Sequence, residues 1–123
     1  MAVKNNLIGI VGPCSAGKST LIKKLQRRGY VCRHIAQEHS YVPDMWQRIA
    51  NPHVLIYLDV SYQVSVQRKP LNLTEEEFLE QEERLNHALQ HADIYLCTDP
   101  LSPEDVFEKI LQALVDRGIP AIM

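Results

Sequence analysis

The stretch GIVGPCSAGKSTLIKKL, from Gly9 to Leu25, joins an apolar run to a helical pattern through a short loop that contains two glycines. The run at residues 7–11 is apolar on both faces, which is typical of a central strand in a parallel sheet. A helix is expected from Lys18 onwards, because apolar residues recur every three or four positions until Gly29 ends the pattern. The stretch therefore predicts a strand–loop–helix unit of an α/β fold.

Three further apolar runs follow along the chain, at residues 30–36, 54–60 and 94–97. Segments of helical pattern separate them, and this alternation is the rhythm of a parallel sheet flanked by helices. The sequence thus predicts an α/β protein with three α/β/α layers and about four parallel strands.

The helical segments carry signals for where they begin and end. Thr74 precedes Glu77 by three residues, which is the spacing of a capping box. Ser102 before Pro103 predicts an N-cap followed by proline at the first helical position.

Two shorter helices are also expected. Pro43 and Pro52 limit one of them to residues 44–50, and the other resumes near Ser61 and breaks at Pro70.

Length and composition narrow the class of protein. The 123 residues are expected to form one domain over residues 1–123. A net charge of −2 gives no electrostatic reason to expect nucleic acid or an anionic membrane as partner, and no apolar run reaches the roughly 20 residues that span a bilayer. Three cysteines without metal-type spacing favour a cytoplasmic, thiol-reduced protein.

Four residues of the first loop, Gly12, Gly17, Lys18 and Ser19, satisfy the pattern G-x-x-x-x-G-K-[ST]. The glycines let the backbone turn so that successive N–H groups face phosphate oxygens, and the N-terminus of the following helix adds partial positive charge. We therefore expect the loop to bind a nucleoside triphosphate, taken here as ATP. No Asn-Lys-x-Asp motif occurs, which argues against a GTPase, although the sequence leaves ATP and GTP both open.

Each residue of the loop has an expected contact with the nucleotide. Lys18 can reach the β- and γ-phosphates, the Ser19 hydroxyl can ligate Mg²⁺, and Thr20 is expected near the α-phosphate. The predicted nucleotide-binding residues are Gly12, Pro13, Cys14, Ser15, Ala16, Gly17, Lys18, Ser19 and Thr20.

Turnover of a bound nucleotide also needs a carboxylate near the metal or the attacking group. Asp59 ends an apolar run, as the metal-binding acid of a Walker B strand does, and Glu38 lies two residues after the run at 30–36. Because successive strands usually lie side by side, Glu38 is expected to be the carboxylate nearest the loop, where it can serve the metal or accept a proton. Glu38 and Asp59 both remain candidates.

Three segments, GPCSAGKSTLIKKL, PHVLIYLDVSYQVSVQRK and ADIYLCTDPLSPEDVFEKILQAL, are similar in order to nucleoside-monophosphate-kinase-like small-molecule kinases. Adenylylsulfate, shikimate and thymidylate kinases belong to that group. The resemblance covers about two thirds of the chain and implies a P-loop NTPase fold.

The resemblance also implies roles for particular residues. Arg68 stands where the family begins its mobile lid, whose arginines neutralise the transferring phosphoryl group, and Arg84 is a second lid-side candidate. Residues 98–102 match the loop beside the adenine ring. The segment IAQEHSYVPDMWQ resembles an acidic motif of thymidylate and deoxynucleoside kinases, which favours Glu38 over Asp59.

Two functions follow as expectations. The first is an ATP-dependent kinase that uses Lys18, Glu38 and Arg68 as catalytic residues and Mg²⁺ as cofactor, with a small metabolite, nucleoside or nucleotide as acceptor. The second is a nucleotide-binding regulatory or ATPase-like module without phosphotransfer. The second is favoured by the chain's shortness relative to the family, both between residues 30 and 54 and in the lid, which is reduced to KPLNL. A homodimer in which a second copy completes the acceptor pocket is left open.

Overall fold

Four parallel strands form a single sheet in the computed structural model, which describes residues 6–68, 72–119 and 121. The strands are β1 (Ile8–Val11), β2 (Cys32–His34), β3 (Val54–Asp59) and β4 (Ile94–Cys97), in the spatial order β2-β1-β3-β4. Ile10 of β1 lies opposite His34 on one side and Ile56 on the other, and Ile56 lies opposite Ile94. The strand that precedes the glycine loop is therefore central.

Five α-helices and one turn of 3₁₀ helix surround the sheet within the described residues. They are α1 (Lys18–Arg27), the 3₁₀ turn (Gln37–His39), α2 (Met45–Ile49), α3 (Tyr62–Arg68), α4 (Glu75–His91) and α5 (Pro103–Asp116). None of the helices in this part of the chain combines the length and the apolar character needed to cross a membrane.

Apolar side chains cover both faces of the sheet, an arrangement compatible with three α/β/α layers. On one face, Leu25 of α1 and Ile110 of α5 pack in one buried cluster with the strands. On the other face, Leu85 of α4 and Trp46 of α2 pack in a second cluster with Tyr57 of β3. Both faces of the central strands are buried, which explains why their sequences are apolar without alternation.

The prediction of an α/β protein with a four-stranded parallel sheet is confirmed, and so are both helix starts. Thr74 and Glu77 form the reciprocal capping box before α4, and Ser102 caps α5 ahead of Pro103. The predicted break at Pro70, and residues 69–71 of the reduced lid, lie outside the described residues.

Strand β2 is shorter than the apolar run at residues 30–36 suggested. It lies at an edge of the sheet and pairs with β1 alone. Its Arg33 and His34 residues are exposed. The strand therefore lacks the burial on both faces that β1 and β3 have. The 3₁₀ turn that follows was not predicted.

All four strands are parallel, so their C-terminal ends lie along one edge of the sheet. Open α/β sheets place their ligands at this edge. The glycine loop after β1, the 3₁₀ turn after β2, and the segments after β3 and β4 all begin there.

The first glycine of the loop lies directly against β3. A Cβ atom on Gly12 would stand 2.0 Å from the carbonyl oxygen of Leu58, and Gly12 has a φ of 152°. Gly17 has a φ of 96°, but no atom lies within 4 Å of the position that its Cβ would take. Gly12 is therefore required by a close approach of two backbones, and Gly17 by its backbone conformation alone.

These two glycines predict different costs of substitution. Gly17→Ala should lower the free energy of unfolding by about 1–2 kcal/mol, the cost of placing a side chain in a left-handed conformation. Gly12→Ala should cost more, because the methyl group must also push the loop away from β3. Urea denaturation of both variants measures the difference, and equal losses would contradict the close approach.

Candidate functional site

The glycine loop, residues 12–17, leads straight into the first turn of α1. Gly17 is the N-cap in a left-handed conformation, and no side chain among the described residues caps this helix. The N–H of Leu21 bonds to the carbonyl of Gly17, which leaves the N–H groups of the first turn directed out of the helix. A helix start of this kind attracts an anion through these groups and through the helix dipole.

The Lys18 side chain folds back under the loop and is almost completely buried, at 7% exposure. Its ammonium group donates to the carbonyl oxygens of Gly12 and Pro13 and to Glu38 Oε2, the last at 2.7 Å. Three acceptors match the three protons of an ammonium group, so the cation is fully satisfied by the protein.

Glu38 is the partner of Lys18 and is satisfied only in part. Its side chain is 3% exposed, and Oε2 receives the Lys18 bond. Oε1 is buried and has no hydrogen-bond partner among the described residues. A buried carboxylate oxygen without a protein partner is costly, and in native proteins such an atom bonds to water, to an ion or to a ligand, or has a catalytic role.

Gln37 fixes the 3₁₀ turn that carries Glu38. The Gln37 side chain is fully buried, and its Nε2 donates to the carbonyls of Val42 at 2.9 Å and Arg84 at 3.1 Å. Its Oε1 accepts the N–H of Trp46 at 2.8 Å. These bonds tie the segment after β2 to α2 and α4 and so set the position of Glu38.

Arg84 of α4 lies next to the same turn. Its Nη1 donates to the carbonyl of Glu38 at 3.3 Å, and its guanidinium stacks over the Tyr41 ring at 4.5 Å from the ring centre. Arg84 also pairs with Glu80 at 3.7 Å, as their spacing on the helix predicts. Arg84 thus supports the backbone that carries Glu38.

A cavity of about 360 Å³ opens beside the Lys18–Glu38 pair. Its lining consists of loop residues, Lys18, Ser19, Thr20 and three side chains from the β2 end of the sheet, which are His34, Glu38 and His39. Burial and the nearby Lys18 lower the pKa of His34 below its usual value, so this imidazole is neutral at neutral pH. The cavity is polar and contains the buried charges.

A second cavity, of about 410 Å³, lies on the other side of the loop and shares Ser15, Ala16, Gly17 and Thr20 with the first. Its other lining residues are mostly apolar: Leu21, Leu101, Pro103 and Val106, together with Arg68 and Thr98. The loop therefore stands between a polar cavity and a largely apolar one.

Arg68, at the end of α3, lies on the side of the apolar cavity. Its Nη1 donates to the Ser15 carbonyl at 3.2 Å and to Thr98 Oγ1 at 2.8 Å, and its Nη2 donates to the Thr98 carbonyl. Thr98 is buried, and its hydroxyl also lies 3.2 Å from the Ala16 carbonyl. Arg68 and Thr98 together tie the glycine loop to the segment after β4.

Asp59 does not line the cavity that Lys18 and Glu38 line. It lines a different cavity, between the ends of β3 and β4 and the start of α4. Its Oδ1 accepts the N–H of Val60 at 2.9 Å, and its Oδ2 accepts the hydroxyl of Tyr95 at 2.5 Å. This bond to Asp59 raises the pKa of Tyr95, so the phenol stays protonated and keeps donating to the carboxylate.

The predicted site residues are thus sorted into groups. The structure brings Lys18, Ser19 and Glu38 to the polar cavity and Arg68 to the apolar one, and it leaves Asp59 in a third place. An exposed hydroxyl on Ser19 and an unpartnered oxygen on Glu38 are hard oxygen donors, which suit Mg²⁺.

Sequence reasoning did not find the contacts of Cys14. Gln81 of α4 accepts the Cys14 N–H at 3.2 Å and donates to its sulfur at 3.3 Å. His39 Nε2 lies 4.0 Å from the same sulfur. Cys14 and His39 are 25 positions apart and share no motif, so only the packing of α4 and the 3₁₀ turn against the loop brings these groups together.

No family model matches this chain, and no curated protein matches it.

The Gln37 contacts predict that Gln37→Met destabilises the fold. The variant would leave two carbonyls and one N–H without their partner, at roughly 1–3 kcal/mol for each group that stays buried. Gln47→Met, on the exposed face of α2, is the matched control and should change the free energy of unfolding little. Urea denaturation compares them, and equal stability of the two variants would show that Gln37 does not hold the turn.

Proposed function

We propose that this protein is an ATP-dependent kinase of the P-loop type that transfers the γ-phosphate to a small metabolite, nucleoside or nucleotide. The observation that carries the proposal is the buried contact of Lys18 with Glu38 beneath the glycine loop, at 2.7 Å. A cation for the phosphates and a carboxylate for the acceptor lie side by side at the start of a helix, at the ligand-binding edge of a parallel sheet.

Lys18 is the residue that binds the phosphates. Its ammonium group lies inside the loop before any ligand arrives, and since its three protons already go to two loop carbonyls and Glu38, it would exchange a loop carbonyl for a phosphate oxygen. Such preorganisation means that little side-chain entropy is lost on binding. The free N–H groups at the start of α1 add donors for the same phosphate oxygens.

Glu38 is the residue that receives the proton of the acceptor. Oε2 stays on Lys18, while the unpartnered Oε1 takes the proton from the acceptor hydroxyl. The hydroxyl oxygen then bonds to the γ-phosphorus, the bond from that phosphorus to the β–γ bridging oxygen breaks, and ADP leaves. This assignment would explain why one oxygen of the buried Glu38 carboxylate has no hydrogen-bond partner among the described residues.

Ser19 and Glu38 are the residues that would hold Mg²⁺, through the hydroxyl and through a metal-bound water respectively. The ion would neutralise charge on the phosphates. Asp59 stays the alternative metal residue, although Tyr95 and the Val60 N–H already occupy its oxygens.

The two cavities differ in a way that supports binding of the base in one and of the γ-phosphate in the other. The apolar cavity, with Leu21, Leu101, Pro103 and Val106, suits a purine ring, and two residues of the predicted adenine loop, Thr98 and Leu101, line it. The polar cavity suits the γ-phosphate and the acceptor. In this arrangement Arg68 lies at the base side and would have to leave Thr98 to reach a phosphoryl group.

The position of Arg68 favours the second candidate function, a nucleotide-binding module without phosphotransfer. All the Arg68 bonds recorded in the described chain go to the protein itself, namely to Ser15 and Thr98. An arginine bonded in this way would have to give up these bonds before it could stabilise the transferring phosphoryl group. The two functions are separated by an assay for the product.

Lys18→Ala should abolish the binding of Mg-ATP, because it removes the cation inside the loop. Calorimetry measures the binding, and Lys23→Ala, an exposed lysine on the same helix, is the control that should bind as the wild type does. Loss of one partner of a buried pair costs about 3–5 kcal/mol, so the double variant Lys18→Met/Glu38→Gln, which buries no unpaired charge, is tested as well. Binding of Mg-ATP by a folded Lys18 variant at wild-type strength would refute the assignment of the loop.

Glu38→Gln should lower the rate of phosphotransfer by roughly 10²–10⁴-fold, the usual contribution of a general base. Asp59→Asn should cost less, and Glu83→Gln, on the exposed side of α4, should cost nothing. The assay incubates γ-labelled ATP with pooled nucleosides and metabolites. A greater loss in Asp59→Asn than in Glu38→Gln would move the role to Asp59.

The same assay decides between the two functions. Label in an organic product supports the kinase. Label that appears only as inorganic phosphate, or no transfer at all by a protein that binds Mg-ATP, supports the module without phosphotransfer.

A further inference from the structure

Three metal-ligating side chains meet at the mouth of the polar cavity: Cys14, Glu38 and His39. Their ligand atoms all lie within 4.8 Å of one another. His39 Nε2 stands 4.0 Å from Cys14 Sγ and 4.0 Å from Glu38 Oε2. In the part of the chain that the structure describes, no other group of three or more such side chains is this close.

We propose that Cys14, Glu38 and His39 bind a divalent metal ion of the zinc class. Thiolate, imidazole and carboxylate are the three ligand types of protein zinc sites, and three protein ligands leave a fourth position open. In a tetrahedral site such ligand atoms are roughly 3.3–3.6 Å apart, so the observed separations, 4.0 Å for two pairs and at most 4.8 Å for the third, must shorten by about 0.4–1.5 Å for the ligands to close onto an ion. The sulfur excludes Mg²⁺ as the preferred ion, because Mg²⁺ takes oxygen ligands.

The unpartnered oxygen of Glu38 is a second observation that points to a ligand. Oε1 is buried and bonds to nothing among the described residues, while Oε2 is held by Lys18. Because Oε2, which Lys18 holds, is the oxygen 4.0 Å from His39 Nε2, the carboxylate must turn about its terminal bond to give Oε1 to the metal while Oε2 keeps Lys18. The ion would satisfy a buried group that the protein itself leaves unsatisfied.

The surroundings of the cluster suit a metal site in two further respects. Gln81 Nε2 donates to Cys14 Sγ at 3.3 Å and fixes the position of the sulfur, as outer hydrogen bonds do for metal ligands. The His39 side chain is 61% exposed, so an ion can reach the cluster from solvent. On binding, the thiol gives up its proton to solvent and the sulfur coordinates as the thiolate.

The other two cysteines provide natural controls. Cys97 is exposed at the end of β4 and belongs to no such group among the residues that the structure describes. Burial raises the pKa of the Cys32 thiol to about 11, which disfavours the thiolate that a metal requires.

This site goes beyond the proposed kinase activity and does not depend on it. It shares Glu38 with that activity, but it is defined by Cys14 and His39. The two proposals are therefore tested by different variants: Lys18→Ala removes the phosphate-binding cation and the partner of Glu38, whereas variants of Cys14 and His39 leave the Lys18–Glu38 pair in place.

Co²⁺ titration of the reduced full-length protein tests the site, because a thiolate–cobalt bond gives a charge-transfer absorption band. We expect one Co²⁺ per chain with this band, and displacement of the Co²⁺ by an equivalent of Zn²⁺. Cys14→Ser should lose the band, and His39→Asn should weaken Co²⁺ and Zn²⁺ binding by at least about 10–100-fold. Cys97→Ser and His53→Asn, which change an exposed cysteine and an exposed histidine elsewhere, should behave as the wild type does.

Circular dichroism and a urea melt establish that each variant is folded, and the exposed position of His39 makes His39→Asn the variant least able to disturb the fold. A wild-type protein without the charge-transfer band would overturn the proposal. So would a folded His39→Asn that binds Zn²⁺ as tightly as the wild type, or a band that persists in Cys14→Ser.

Discussion

The buried ion pair of Lys18 and Glu38 joins the two segments that leave the C-terminal ends of β1 and β2. Both charges are out of water, so each depends on the other, and loss of either leaves an uncompensated charge in the interior. The pair is unequal, because the ammonium group has three acceptors while the carboxylate has one unpartnered oxygen. The carboxylate oxygen without a partner is the reactive feature of the site, since a ligand, a proton or an ion can satisfy it.

The sheet makes this pair possible through the order of its strands. Because β2 and β3 flank β1 and run parallel to it, the segments after all three strands emerge at one edge. Gly12 lets the loop pass against Leu58 of β3, and Gln37 holds the turn after β2 through three hydrogen bonds. The glycine loop thus lies between two cavities. The polar cavity is next to the end of β2, and the largely apolar cavity is next to the end of β4.

One carboxylate serves both proposals made for this protein, and the protein supplies different neighbours for each. In the proposed phosphotransfer, Glu38 would act with Lys18 and Ser19, which come from the loop and the start of α1. In the proposed zinc-class site, it would act with Cys14 and His39, and Gln81 of α4 donates to the sulfur. Cys14 and His39 can be replaced without removing a partner of Lys18, so each proposal has its own experiment.

Much of the fold could be predicted from local patterns. The apolar runs predicted β1 and β3, and the caps at Thr74 and Ser102 marked the starts of α4 and α5, because strand burial and helix capping depend on neighbouring residues. The position of Glu38 near the loop was predicted from the usual adjacency of successive strands. The shortening of β2 and the bond between Tyr95 and Asp59 could not be predicted, since they depend on which strand lies at the edge and which side chains meet across the sheet.

By itself, then, the sequence determined the strand–loop–helix unit at residues 8–27 and the glycine–lysine–serine pattern within it. These are properties of contiguous residues, whose spacing and conformational preferences are present in the chain itself. Only the tertiary structure decided which carboxylate meets Lys18, that Arg68 bonds to Thr98, and that His39 lies beside Cys14. Such contacts join residues 20 to 30 positions apart, and the packing of the 3₁₀ turn, α3 and α4 around the sheet edge is what brings them within reach.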